Sequence, residues 1–294
     1  MSQIIKNSLI VLSASVLFGI YPPAARGAYA DGANAIFIIL LTTLLRAASM
    51  TAFCIVKGHG LFVDREETKI AIRSGFIQAC SIIGILGSLV YLPGPVAIVL
   101  LFTNTLMLLF FLWLKKELEV NQWLLIATVA CLIGISFVVD VWNIHSLGDW
   151  RGYVLIMIGA AATASRLYIF GKLTQRKEPI VVGAETFLWA FCFLCLLPFH
   201  QMPILPQSIL GFGWAFLSAV SLSLGSFAMF YGIAKIGAFH FSLYNKLEPV
   251  FGAIFSAILI GEILNVTQYI GMVIVIGSLV GYQLWDYRQR KNKS

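Results

Sequence analysis

Charge is the scarcest property of this sequence. Only 11% of its 294 residues are Asp, Glu, Lys or Arg, against roughly 25% in an ordinary soluble domain. That deficit excludes a water-facing fold for most of the chain. The twenty Lys and Arg outnumber thirteen acids to give +7, yet they are spread among short loops and form no patch, so no nucleic-acid partner is expected. No P-loop occurs, which argues against direct ATP drive. The four histidines, His59, His145, His200 and His240, lack metal-ligand spacing, and neither a metal nor a cofactor is expected. Cys54, Cys80, Cys131, Cys192 and Cys195 all sit in apolar runs. Cys192 and Cys195 form a C-x-x-C, but with no cation or second ligand pair beside them they read as packing residues. A cleavage site is missing too: the first apolar run ends at Tyr21-Pro22-Pro23 and is expected to stay as a span, not to leave as a signal peptide.

What is abundant is apolar sequence: 60% hydrophobic residues and a mean hydropathy of +0.91. Ten apolar segments can be counted, at about 7–26, 33–56, 70–91, 94–114, 120–141, 150–171, 180–199, 208–233, 238–260 and 266–286. Each approaches the ~20 residues a helix needs to cross a bilayer. Lys and Arg are biased strongly between alternate connectors, 15 on one side against 2 on the other (Arg26 and Arg151). By the positive-inside rule both termini are cytoplasmic. Trp113, Trp123, Trp142, Trp150 and Trp285 lie near span ends, as interfacial anchors do.

The chain also resembles itself. Offset by 145 residues, Lys116-Glu117-Leu118 falls on Gly261-Glu262-Ile263, and Phe110 on Phe255. Five spans per half reverse the direction of entry, so residues 1–145 and 146–294 read as inverted repeats, an arrangement suited to a midplane site with alternating access. Asn104 stands at the position matching Pro249, and Thr103 at that matching Glu248.

The second half resembles the drug/metabolite transporter superfamily, specifically its ten-helix EamA-type members. The likeness rests on Leu247-Glu248-Pro249-Val250-Phe251, then Gly261-Glu262, Gln268, Gly271 and Gly277, with Ala234-Lys235-Ile236-Gly237-Ala238 at the preceding helix junction. Arg46-Ala47-Ala48 lies where the family often has an Arg followed by small residues in helix two. The resemblance implies secondary transport of small metabolites, often amino acids and often outward.

Candidate site residues centre on the ninth segment. Glu248 is a carboxylate at membrane depth, where charged groups cost about 2.5–3.5 kcal/mol on insertion scales; it is the candidate for substrate binding and for proton coupling. Pro249 is expected to kink this helix, and Tyr244, four residues before Glu248, to share its face. Asn245 belongs to the same group. Lys246 points roughly opposite Glu248, toward substrate, toward an acid elsewhere or toward the membrane surface. Arg166 with Tyr168 in the sixth segment would face Glu248 and grip a carboxylate, unless Arg166 is the counter-ion of Glu248 or Glu185. Tyr231, Asn104 and Tyr21 are uncharged cavity candidates. Pro22-Pro23 either bends or ends the first helix. The resemblance places Arg46 at a helix-two position outside the central helices, where it is expected to be structural, and Glu185 is expected to be a buried ion-pair partner. Gly277-x-x-x-Gly281 gives one flat helix face for packing, against span five or a second protomer, which leaves a homodimer open.

The expected protein is therefore an all-α integral membrane protein with ten transmembrane helices around a central cavity. Its expected function is secondary active transport, by alternating access, of a small amino-acid-like or amphiphilic metabolite out across the bacterial inner membrane. The alternative within transport is uptake or exchange of a charged nucleotide-like metabolite such as S-adenosylmethionine. A membrane-embedded enzyme lacks a nucleophile or paired-histidine cluster, and a scaffold leaves the buried charges unexplained.

Overall fold

The computed structural model describes residues 3–63, 65–118, 120–143 and 148–293; the expected boundary at residues 145 and 146, together with His145, lies outside them. Twelve α-helices follow one another in order: α1 (Gln3–Ala30), α2 (Ala35–Val56), α3 (Arg65–Leu89), α4 (Gly94–Leu101), α5 (Asn104–Leu114), α6 (Gln122–Val138), α7 (Trp150–Leu173), α8 (Pro179–Leu194), α9 (Ile209–Ile236), α10 (Ala238–Tyr244), α11 (Glu248–Ile260) and α12 (Val266–Lys293). No strand occurs among the described residues. Counting α4–α5 and α10–α11 as one run each, nine helical runs among the described residues are long and apolar enough to cross a membrane. The tenth expected span, α6, has 17 residues, about 25 Å of helix at ~1.5 Å per residue. The protein is an all-helical, multi-pass integral membrane protein.

Polar residues at the connectors set the helix starts. Asn34, Asn121, Asp149 and Ser208 each accept a hydrogen bond from a backbone N–H of the helix they precede, satisfying donors that a helix leaves open at its start. Pro95 and Pro179 sit in the first turns of α4 and α8, where a missing N–H costs nothing. At the end of the bundle away from Lys57, Asp31 accepts from the backbone N–H and hydroxyl of Ser208, both at 2.8 Å. Asn34 there bonds Met202 and Ile204, so the α1–α2 turn is tied to the α8–α9 connector.

Large rings fill the middle of the bundle. Phe170, Phe187 and Phe230 are fully buried, with Phe170 and Phe230 at 4.6 Å between centroids. A second core joins α6 to α12 and the broken ninth segment. Close backbone approach at glycine decides two helix contacts. A Cβ on Gly84 of α3 would stand 2.9 Å from both Gly159 N and Leu155 O of α7, and one on Gly19 of α1 would stand 2.6 Å from Phe251 Cβ of α11. The second contact draws α1 against the start of α11.

Four expectations about the helices are corrected. Helix α1 does not end at Pro22-Pro23 but runs through both to Ala30, so Arg26 is helical, not in a loop. The ninth segment is not one kinked helix. It breaks into α10 and α11 with a 3-10 turn at Asn245–Leu247 between them, which places Pro249 in the first turn of α11. The fourth segment breaks likewise, between Leu101 and Asn104. Finally, the Gly277/Gly281 face does not pack on span five: α12 meets α6 through Gly271 and Gly134, while a Cβ at Gly277 or Gly281 would meet nothing within 4 Å.

Candidate functional site

Both helix breaks face one cavity of about 300 Å³. Irregular backbone at membrane depth persists only where protein buries it or water reaches it. Leu101, Phe102 and Asn104 line the cavity from the α4–α5 break, and Phe241, Ser242, Asn245 and Glu248 from the α10–α11 break. Helices α1, α2, α3, α7 and α9 supply the other walls, including Tyr21, Arg46, Gln78, Arg166 and Ser226. Three charged side chains thus converge, two guanidiniums and one carboxylate, in a wall otherwise made of hydroxyls, amides and apolar groups.

Glu248 opens α11, where a carboxylate meets the positive end of the helix. Asn245 Nδ2 donates to its Oε2 at 2.7 Å, and Ser15 Oγ of α1 donates to Asn245 Oδ1 at 3.2 Å. This relay orients the carboxylate from the neighbouring helix. Arg46 Nε donates to the Thr42 carbonyl at 3.2 Å and Nη2 to Thr43 Oγ1 at 3.4 Å, with the guanidinium 4.6 Å over the Phe187 ring. Arg166 lies 5.3 Å over the Phe170 ring, and its buried Nε has no hydrogen-bond partner. Gln78 is 4% exposed, and its Oε1 is likewise buried without a partner. Buried polar groups are normally paired, so unpaired ones at a cavity wall mark where a ligand or water bonds.

The segment that carries Arg166, Asn245 and Glu248 also resembles a known family. Residues 150–282 match the model of the EamA-like transporter family. That segment, under half of the chain, is similar to an EamA-like transporter unit. No curated protein matches the chain by sequence. A solved crystal structure superposes with a TM-score of 0.80 over 95% of this chain and 99% of its own, at 14% identity; at that identity the likeness concerns the fold alone. The EamA-like unit begins at the first residue of α7, so Tyr21, Arg46, Gln78 and Asn104 come to the cavity from the sequence ahead of it.

Of the nine residues expected in the cavity, Glu248, Asn245, Arg166, Asn104 and Tyr21 line it. The other four do not, and are corrected. Lys246 is fully buried but points away from the cavity. Its Nζ donates to the Phe102 carbonyl and sits 4.4 Å over the Phe102 ring, so a cation caps the end of α4, where helix carbonyls lack partners. Tyr244 loses its expected alignment with Glu248 because the 3-10 turn interrupts the α-helical spacing. Tyr168 donates to Glu117 at 3.1 Å beside a Lys172–Glu117 pair of 2.7 Å, in a separate hollow. Tyr231 donates to Glu178 at 3.3 Å. Glu185 is a buried ion-pair partner, as expected: Lys177 contacts it at 2.8 Å and Glu67 at 2.7 Å, and the Phe62 N–H donates to Glu185 as well. Burial pulls the Lys177 ammonium down, but the hydrogen bonds to Glu185 and Glu67 outweigh it and hold the group above its usual range.

Arg46 and Gln78 are among the cavity residues that the sequence did not place there. Arg46 is central, not peripheral. Gln78 carried one signal in the sequence, a lone amide in the apolar run Phe76-Ile77-Gln78-Ala79-Cys80, an unusual group to bury without a polar neighbour.

Proposed function

We propose that this EamA-like protein is a secondary active transporter that moves a small amino-acid-like or amphiphilic metabolite through the central cavity by alternating access, outward across a bacterial inner membrane. The observation that carries the reading is the convergence of Glu248 and Arg166 on one cavity whose walls come from both sides of residue 145. A carboxylate and a guanidinium match the ammonium and carboxylate of an amino acid, and the apolar walls at Phe18, Leu222 and Met229 take its side chain. A cavity of a few hundred Å³ suits a small metabolite.

The repeat reading supports alternation. The breaks at Phe102-Thr103 and at Asn245–Leu247 overlap at one position under the 145-residue offset, Phe102 falling on Leu247, and paired broken helices at a central site are a recurring feature of inverted-repeat transporters. In this reading residues 1–145 and 146–294 form two oppositely inserted five-span halves, α6 is the fifth of ten spans, and both termini are cytoplasmic. Glu248 is the proton-coupling group: in a low-dielectric wall its charged form is costly, so it alternates between a proton and a substrate cation.

Proteoliposomes loaded with an unlabelled amino-acid mixture and assayed for counterflow of labelled members test the reading. Exchange by the wild type, and loss of its pH dependence in Glu248→Gln, are expected. Wild-type transport by Glu248→Gln across the pH series removes the protonation role, and no exchange of any member removes the function.

A further inference from the structure

The charges in the cavity do not balance, and the imbalance points to a substrate class. Arg46 and Arg166 bring two positive charges to the wall and Glu248 one negative charge. Among the described residues no ion pair joins any of the three to another group; the buried Lys246 attracts Glu248 through space but is bonded to the Phe102 carbonyl and does not line the cavity. A buried charge left without a partner is expensive, so the ligand that fits best is the one that neutralises all three. A neutral amino acid pairs with one guanidinium and Glu248 and leaves the second guanidinium unmatched. A plain dicarboxylate pairs with both guanidiniums but sets Glu248 against like charge.

We infer that, if the cavity is a transport site as proposed above, its substrate is an amino dicarboxylate: two carboxylates and one ammonium on a short skeleton, as in an acidic amino acid. The hydrogen-bonding groups fit the same assignment. Arg46 spends Nε and Nη2 on its own helix and presents its remaining Nη1 to a carboxylate. Arg166, stacked on Phe170, presents the forked geometry that grips a second one. On the acceptor side, Glu248 spends Oε2 on Asn245 and keeps Oε1 for an ammonium. Gln78 Oε1, buried and unpartnered, is a further acceptor for ligand N–H. Asn104 stands at the first residue of α5, where the positive end of that helix also favours an anion.

The test uses the purified full chain in detergent or nanodiscs and follows thermal stabilisation by L-glutamate, L-aspartate, L-glutamine, L-asparagine, L-leucine and glutarate. Glutamate or aspartate is expected to bind roughly tenfold or more tightly than its amide, the scale of one charge-assisted contact. Arg46→Gln is expected to reverse the order, preferring the amide, and Arg46→Lys to retain the acid preference weakly. Because that reversal is a gain of amide binding, a misfolded variant cannot imitate it; Arg166→Gln supplies the same comparison if Arg46→Gln fails to fold. Glu248→Gln is expected to move preference toward glutarate. Equal binding of acids and amides by the wild type, no binding of either acid, or an acid preference unchanged in the folded Arg46→Gln or Arg166→Gln protein would each overturn the inference. Counterflow separates it from the transport reading: carriage of leucine or an amide without the acids leaves transport standing and removes the substrate class, whereas carriage of no amino acid removes both.

Discussion

Replacing Lys246 with Met separates the capping role of this lysine from substrate binding. The side chain is fully buried, its Nζ is bonded to the Phe102 carbonyl, and its charge lies 4.4 Å over the Phe102 ring. Met fills a similar volume but can neither donate nor carry charge. The substitution leaves the Phe102 carbonyl short of a buried partner, a penalty of about 1–3 kcal/mol. Loss of the cation–ring contact adds about 0.5–2 kcal/mol. Against these, removing an ammonium from an apolar site relieves a desolvation cost. Because the hydrogen-bonded partner is a neutral carbonyl, no ion pair is broken, and only a longer-range attraction to Glu248 is lost. The net expectation is a loss of about 1–3 kcal/mol, read as a lower midpoint in thermal unfolding of the purified protein. Ligand affinity, corrected for the folded fraction, is expected to stay within about threefold of wild type, a change below 1 kcal/mol, since Lys246 does not line the cavity. A Lys246→Met protein as stable as wild type but unable to bind ligand would refute this assignment.

Other perturbations follow from the same contacts. Gly84→Ala places a Cβ 2.9 Å from α7 backbone atoms that cannot step aside, so a loss of about 1–3 kcal/mol is expected in the same unfolding assay. Lys177→Met abandons the buried Glu185 carboxylate and is expected to cost about 3–5 kcal/mol; Glu67→Gln removes the half-exposed arm of the network and should cost under about 1 kcal/mol. Equal midpoints for these two variants would contradict the burial difference. The Ser208 N–H and hydroxyl hold the Asp31 carboxyl below the usual carboxylate range. A lowered folded-state value means that the stability Asp31 contributes is present above its unfolded value of about 3.9 and disappears as pH falls through the lowered one. Asp31→Asn should therefore be less stable than wild type at neutral pH, with a gap that narrows on acidification in a pH series of unfolding midpoints.

Length and hydropathy were enough to expose the membrane-spanning runs, because a helix in lipid must be apolar over a fixed distance. They also exposed Glu248, because a carboxylate has no cheap place there. Which way a side chain faces was harder to read. In a bundle whose helices are apolar nearly all round, periodicity does not distinguish a cavity wall from a packing face, so Tyr231 reads as a cavity group, while Arg46 reads as peripheral from the resemblance alone. The break at Asn245–Leu247 rotates everything before it relative to everything after it. Spacing counted across it, from Tyr244 to Glu248, therefore gave the wrong neighbour. Pro22-Pro23 was ambiguous for a related reason: proline removes donors without dictating whether the chain ends its helix or tolerates the gap. Tyr168 was drawn away by Glu117, a partner 51 residues distant in sequence that no local pattern connects to it.

Transport through the hollow between the two helix breaks requires that water and solute reach it. Single cysteines at Leu222 and Leu224, in a background with the five native cysteines replaced, test it directly with a polar, membrane-impermeant thiol reagent applied to reconstituted protein. Leu222 lines the cavity, whereas Leu224, two residues along α9, is 51% exposed on the outer face of the bundle, where lipid lies. Thiolate, the reactive form, needs water. Leu222→Cys is expected to be labelled and to be protected by a bound amino acid, while Leu224→Cys stays unlabelled despite its greater exposure. Labelling of Leu224→Cys with none at Leu222→Cys would contradict it.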